Sequence, residues 1–374
     1  MMRRNSNTKD VFFALLRAGL WEKGVQIQPY GPIDFEALYE LAEKQSVEGL
    51  VAAGLEHVAD MKVTKPQALP FLKKVFSYEG KNAAINSFIE RMVGNMHAAG
   101  IETLLVKGQG VAQCYERPQW RAVGDVDLFL DNENYEKAKA FLIPLAVKVE
   151  DEDVSRKHLG MTIDQWTVEL HGTLRGPLLR RINKMIDEVQ RDTFEHKRFR
   201  IWRNGDTDVL LPAPDEDVIF VFTHILQHYF GSGIGLRQIC DWCRLLWTYR
   251  NDIDQPLLKK RLSDMRLMTE WQVLCAYATE YLGAPRDAML LYGPCKRWQR
   301  KAELMNTLIM EVGNFGQGRD LSYFKTRPYL VRKAISFKYR FMDAFRNFMI
   351  FPIDSTLAFS RTLTRGFKAV ANRE

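Results

Sequence analysis

LLVKGQGVAQCYERPQWRAVGDVDLFL occupies residues 104–130. An apolar run leads into Lys107-Gly108-Gln109-Gly110. Arg121 follows, and a second apolar run carries Asp125-Val126-Asp127. The composition predicts buried strands over 101–106 and 123–130. Alternate side chains of a strand face opposite ways, so Asp125 and Asp127 share one face while Val126 and Leu128 enter the core. Two carboxylates on one exposed face, beside a glycine turn and two cations, suit a divalent metal held together with a polyphosphate.

Outward from this stretch, the texture changes on both sides. Upstream, 11–21 is apolar at helical spacing, Asp34 is an N-cap for the segment after Pro32, and 86–99 repeats the pattern with Gly100 as its C′ residue. Downstream, 132–142 reads as an amphipathic helix capped by Asn132 and stopped by Pro144. Residues 165–171 alternate strictly, with Gln165, Thr167, Glu169 and His171 on one face and Trp166, Val168 and Leu170 on the other. Residues 198–211 read as a hairpin turning at Asn204-Gly205. After Asp215 the chain is helical again, most clearly over 217–230, 238–249 and 267–282. The expected division is a helical region over 1–100, an α/β core over 101–214, a helical domain over 215–319 and a basic, aromatic-rich helical tail over 320–374.

Composition narrows the class. The 374 residues are 46% apolar and 26% charged, as in an ordinary globular protein. The longest apolar stretches fall well short of the roughly 18 residues that span a bilayer, and Arg17 interrupts the run that begins at Val11, which disfavours a secretory signal. Five cysteines, an odd number thinly spread, make no disulfide framework. A reduced, cytoplasmic protein is expected. The net charge is +7, and the tail supplies it, with eleven Lys+Arg against four Asp+Glu from Asp320 onward. Any attraction of net charge to nucleic acid or a membrane surface therefore belongs to the tail.

The chemistry that fits these residues is transfer of a nucleotidyl group. It needs a nucleophilic hydroxyl, an in-line α-phosphate and a pyrophosphate leaving group, whose charge two Mg²⁺ ions clamped by carboxylates can offset. Asp125 and Asp127 are the expected ligands from one strand, and Glu169 is the third acid, which also helps to deprotonate the acceptor. Gly108 and Gly110 let the backbone approach the triphosphate of an NTP such as ATP, and Lys107 and Arg121 neutralise the leaving pyrophosphate.

Lys107-Gly108, Tyr115-Glu116-Arg117-Pro118, Arg121 and Gly124-Asp125-Val126-Asp127 together resemble the uncharacterised bacterial nucleotidyltransferase-like family. Val168-Glu169-Leu170-His171 is similar to its downstream acid strand, and His224, His228, Arg237 and Asp241 are similar to its C-terminal helical motif. That family is placed in the DNA polymerase β-like nucleotidyltransferase superfamily. The resemblance, which covers most of residues 1–250, implies an α+β fold in which a small mixed β-sheet nucleotidyltransferase core lies between N- and C-terminal helical regions. It also implies Mg²⁺ and an NTP. Lys107-Gly108 departs from the Gly-Ser usual in the superfamily, so phosphate binding here differs in detail. His171, His224, His228, Arg237 and Asp241 are then possible substrate contacts.

Other motifs have plainer readings. His224 and His228 lie four apart on a helix, as a metal pair would, but no catalytic Glu lies between them, and a structural role or a substrate contact is favoured over zinc. Cys240 and Cys243 read as buried thiols, and Arg237 and Asp241 as a simple i,i+4 pair. The tail alternates aromatic and basic residues, and packing of its aromatics on the helical domain is favoured over nucleic-acid or membrane contact. The leading expectation is a Mg²⁺-dependent nucleotidyltransferase acting on a small molecule, sugar or protein hydroxyl. The alternatives are a non-catalytic nucleotide-binding or scaffold protein on the same fold, and a nucleic-acid-directed transferase.

Overall fold

The N-terminal hundred residues are helical: α1 (Met2–Trp21), α2 (Phe35–Gln45), α3 (Glu48–Glu56) and α4 (Lys65–Ala98). The structure is a computed structural model that describes residues 2–231, 233–312, 328–356 and 360. Asp34 caps α2 as expected, its carboxylate accepting from the Ala37 N–H at 3.0 Å. The helix expected over 86–99 extends back to Lys65, where Thr64 and Gln67 form a capping box. Gly100 ends it at φ 72, and the Gly100 and Ile101 amides donate back to the His97 and Met96 carbonyls. That paired return is the Schellman stop, which a β-carbon would strain. It turns the chain from α4 directly into the sheet.

The sheet and its helices follow as β1 (Leu104–Val106), α5 (Gly108–Ala112), β2 (Val126–Phe129), α6 (Asn132–Leu142), β3 (Lys148–Val149), β4 (His158–Ile163), β5 (Trp166–His171), α7 (Arg180–Glu195), β6 (Phe199–Asn204) and β7 (Thr207–Pro212). Strand order is β3-β4-β5-β2-β1-β7-β6. The β1/β7 and β2/β5 pairs are parallel and the remaining pairs antiparallel, so the sheet is mixed. The expected α+β class is what the structure shows. Several details differ. The two central strands are shorter than their apolar runs, because the flanking residues turn away to build loops. Asp131, not Asn132, caps α6, accepting from the Asn134 N–H at 2.7 Å. The β6–β7 hairpin turns through Gly205-Asp206, one residue later than expected, with Asn204 paired to Thr207.

The chain then runs through α8 (Pro214–Phe230), α9 (Leu236–Thr248), α10 (Gln255–Asp264), α11 (Met268–Leu282), α12 (Lys296–Val312) and α13 (Tyr329–Ile350). The sheet separates two apolar clusters. On one face Leu105, Val126, Leu128 and Val168 pack with Phe88, Met92 and Met96 of α4 and Tyr135 of α6. On the other, Leu104, Val106 and Phe129 join the larger cluster built on α8, α9 and α11. Phe129 meets Phe220 of α8 edge-on with ring centroids 5.5 Å apart. The alternation along β2 therefore sends Val126 and Leu128 toward α4 and Asp127 toward α8. All five cysteines are free thiols, and Cys114, Cys240, Cys243 and Cys275 are buried. No helix among the described residues is long and apolar enough to cross a membrane.

The described part of the tail is mixed. Ile350 and Phe351 are buried, but Phe341, expected to pack, is 54% exposed, and Phe345 is 63% exposed. Tyr323, Phe324 and Lys325 lie outside the described residues, as do the side chains of Tyr329 and Phe337.

Candidate functional site

The centre of the site is the step from β2 to β5. These strands run parallel with Asp127 registered against Glu169, so the two carboxylates lie side by side on the α8 face. Asp125 stands just before β2, exposed, at the mouth of the same cavity, which has a volume of about 410 Å³. Lys107 enters from the end of β1 with a positive φ, at φ 57 and ψ −144, uncommon for a residue with a side chain. Gly108 follows at φ 35, and a β-carbon there would meet the Asp125 carbonyl at 3.2 Å. The Lys-Gly turn is thus what allows the β1 end to press against the Asp-x-Asp loop.

Asp127 is the most tightly held of the acids. Its Oδ1 accepts from Lys107 Nζ at 2.8 Å and lies 2.9 Å from His171 Nε2, and the residue is 8% exposed. Burial alone would raise its pKa, but Lys107 and His171 outweigh burial and hold it well below the usual carboxylate range. Glu169 is held at about 2, chiefly by hydrogen bonds from His158 at 3.2 Å and from His171. Asp125 moves the opposite way, raised by partial desolvation of its carboxyl at the cavity and by the neighbouring Glu169 and Asp127 carboxylates. Three acids that crowd one another this way are a fit for Mg²⁺, whose charge would relieve that repulsion. Asp125 is the most basic of the three.

Gly110 is buried, and a β-carbon there would come 2.9 Å from the Leu211 side chain, so the glycine lets α5 pack closely on β7. Arg121 and Asp241 line the cavity and pair with each other. Arg121 Nε and Nη2 donate to the two Asp241 oxygens at 2.7 and 2.8 Å, Tyr115 Oη adds a 2.8 Å hydrogen bond, and both charged residues are under 8% exposed. That closed triad ties the loop between α5 and β2 to α9. The Arg121 guanidinium and the Asp241 carboxylate thus hold each other in place at the cavity.

Arg237 is the cation that the triad leaves over. It does not pair with Asp241; its Nη1 donates only to the Ala122 and Val123 carbonyls at 3.3 Å, and its Nε is buried without a partner. Burial and the nearby Arg121 lower its pKa. Among the described residues it makes no ion pair, and it lines the same cavity. A desolvated guanidinium facing a cavity favours an anion. From α8, His224 and His228 complete the wall, with their Nε2 atoms 3.1 Å apart. Burial and Lys107 depress both, His224 strongly and His228 to about 4, so the pair is neutral near pH 7.

One residue at the site escaped the sequence reading. His158, at the start of β4, stands opposite His171 and contacts Glu169. The alternation of 158–163 was the signal for that strand, weakened by Gly160 at its centre.

A family model described as "uncharacterised nucleotidyltransferase" matches residues 31–283. No curated protein matches the chain. Among solved structures, the chain is similar to the crystal structure of an antigenic nucleotidyltransferase-like protein from Paracoccidioides brasiliensis. The identity is 12% and the TM-score 0.32, over 53% of this chain and 92% of that one.

Proposed function

The chain belongs to the uncharacterised nucleotidyltransferase family, and from that premise we propose that it transfers an NMP from an NTP to a hydroxyl acceptor with Mg²⁺. The observation that carries the proposal is the register of Asp127 against Glu169 across β2 and β5, with Asp125 at the same cavity mouth. In this reading 101–214 is a DNA polymerase β-like core. Asp125, Asp127 and Glu169 would hold Mg²⁺, which when bound offsets charge on the phosphates and the leaving pyrophosphate. Lys107 and Arg237 attract and orient the triphosphate. The acceptor oxygen attacks the α-phosphorus, the bond to the bridging oxygen breaks, and pyrophosphate leaves. Asp125 takes the hydroxyl proton. Neutral His224 and His228 donate or accept hydrogen bonds at the cavity wall without adding charge. The acceptor is a small molecule, sugar or protein hydroxyl.

Pyrophosphate release from each NTP, ATP first, with and without Mg²⁺, tests this. Metal-dependent release that Asp125→Asn and Asp127→Asn abolish is the expected result. A second reading rests on the Lys107–Asp127 ion pair, which already neutralises the central carboxylate: a protein that binds nucleotide without turning it over. Calorimetric NTP binding with no pyrophosphate release would select that reading.

A further inference from the structure

His158 has no part in the transfer chemistry above, yet it is built into the site. It pairs directly with His171 across the antiparallel β4/β5 ladder, so both rings stand on the sheet face that carries Asp127. Their ring centroids are 4.9 Å apart. Glu169 lies two residues before His171 on the same strand and therefore the same face. Its Oε2 is 3.2 Å from His158 Nε2 and 3.4 Å from His171 Nε2. The ligand atoms of the three residues all lie within 4.8 Å of one another.

We propose that His158, Glu169 and His171 form a binding site for a first-row transition ion of the Zn²⁺ class, adjoining the proposed Mg²⁺ position and sharing Glu169 with it. Geometry and donor chemistry agree. Ligands about 2.0–2.1 Å from a tetrahedral ion stand roughly 3.3 Å apart, and the two measured separations from Glu169 bracket that spacing. Two imidazole nitrogens with one carboxylate suit Zn²⁺, Co²⁺ or Fe²⁺, whereas Mg²⁺ keeps to oxygen ligands and waters. Asp127 Oδ1, 2.9 Å from His171 Nε2, is placed as a fourth oxygen or as a hydrogen-bond partner that orients that ring. The His158 and Glu169 side chains are 32% and 28% exposed, which leaves an entry path from the cavity. The plain alternative is that two rings simply hydrogen-bond two carboxylates.

This site shares Glu169 with the nucleotidyl-transfer reading but does not depend on turnover, so it is tested with no nucleotide present. The full-length, chelator-stripped protein is titrated with Co²⁺, whose visible absorption reports its ligands, and Zn²⁺ is then added to displace it. One Co²⁺ per chain is expected, displaced by Zn²⁺ and unaffected by equimolar Mg²⁺. His158→Gln should weaken Co²⁺ binding at least tenfold while leaving the metal-free melting temperature in place. Asp125→Asn should keep the site. If the His158 variant does not fold, X-ray absorption of the Zn²⁺-loaded wild-type chain decides: imidazole and oxygen scattering supports the site, whereas sulfur ligation would move the ion to a cysteine and overturn it. Unchanged affinity in His158→Gln, or no preference over Mg²⁺, also overturns it. A protein that binds Co²⁺ in this way yet releases no pyrophosphate would retain this inference and lose the transfer proposal.

Discussion

Two aspartates two residues apart have opposite physical circumstances, and their asparagine variants should differ accordingly. Asp127 is buried and paired with Lys107 and His171, so Asp127→Asn leaves an ammonium facing a neutral amide. A loss of about 1–3 kcal/mol of stability is expected, because removing one partner of a buried pair costs more than the pair contributes. Asp125 is exposed and repelled by its neighbours. Asp125→Asn should leave the melting temperature unchanged or raise it, although both variants lose metal-dependent turnover. Thermal denaturation without metal measures the difference, and equal destabilisation would refute the assigned geometry. The histidines of α8 give a pH signature. His228 falls from 6.5 to about 4 on folding. Between those values the unfolded chain binds the extra proton, so stability rises with pH there and is lost as pH falls through the window. His228→Gln should flatten the denaturation midpoint between pH 6.5 and 4, and an unchanged slope would show that the ring is not desolvated.

At the scale of elements, the two arginines near the cavity separate a structural role from a binding one. The Arg121–Asp241–Tyr115 triad joins the loop before β2 to α9, so Asp241→Asn should cost roughly 3–5 kcal/mol, as other broken buried ion pairs do. Arg237→Gln should leave stability nearly unchanged and raise KM for the NTP about tenfold or more. A fall in melting temperature matching that of Asp241→Asn would make Arg237 structural as well. Sequence reading told these two arginines apart poorly, because spacing along a helix puts Arg237 and Asp241 within reach, while only the fold brings Arg121 to Asp241. It did better where the signal was local. The strict alternation around Glu169 gave the right strand and the right face, and Gly100 gave the right helix stop. It missed α7, although Ile182, Met185, Ile186 and Val189 recur at helical spacing and are buried; charged residues filling the other positions mask that stripe. It missed β4 as well, and with it His158. Short strands between polar loops carry few residues over which a period can be read.

At the scale of the whole molecule, the C-terminal segment reaches α7, α8 and α12. The exposed apolar residues of α13 include Phe341, Phe345 and Met349, while Ile350 and Phe351 are buried. Phe351 packs edge-on against Tyr229 and Phe230 at the end of α8, with ring centroids 5.6 and 5.9 Å away. Two residues of the segment secure that docking: Asp354 accepts from Arg181 of α7 at 2.9 Å, and the Ile350 carbonyl accepts from Lys301 of α12. Along α13 the described contacts include the Arg346–Glu311 ion pair to α12, and the end of the segment rests on the helix that carries His224 and His228. Phe351→Ala should therefore cost about 3–5 kcal/mol, the usual price of an emptied aromatic site, and Phe345→Ala less than about 0.5 kcal/mol. Urea denaturation of the full chain measures both. Binding to RNA, DNA or anionic vesicles over a salt series settles whether the basic tail adds a partner. Salt-steep binding that Phe345→Ala weakens without loss of stability would assign α13 to that partner. No binding, with Phe351→Ala alone destabilising, would leave the segment as a clamp on the end of α8.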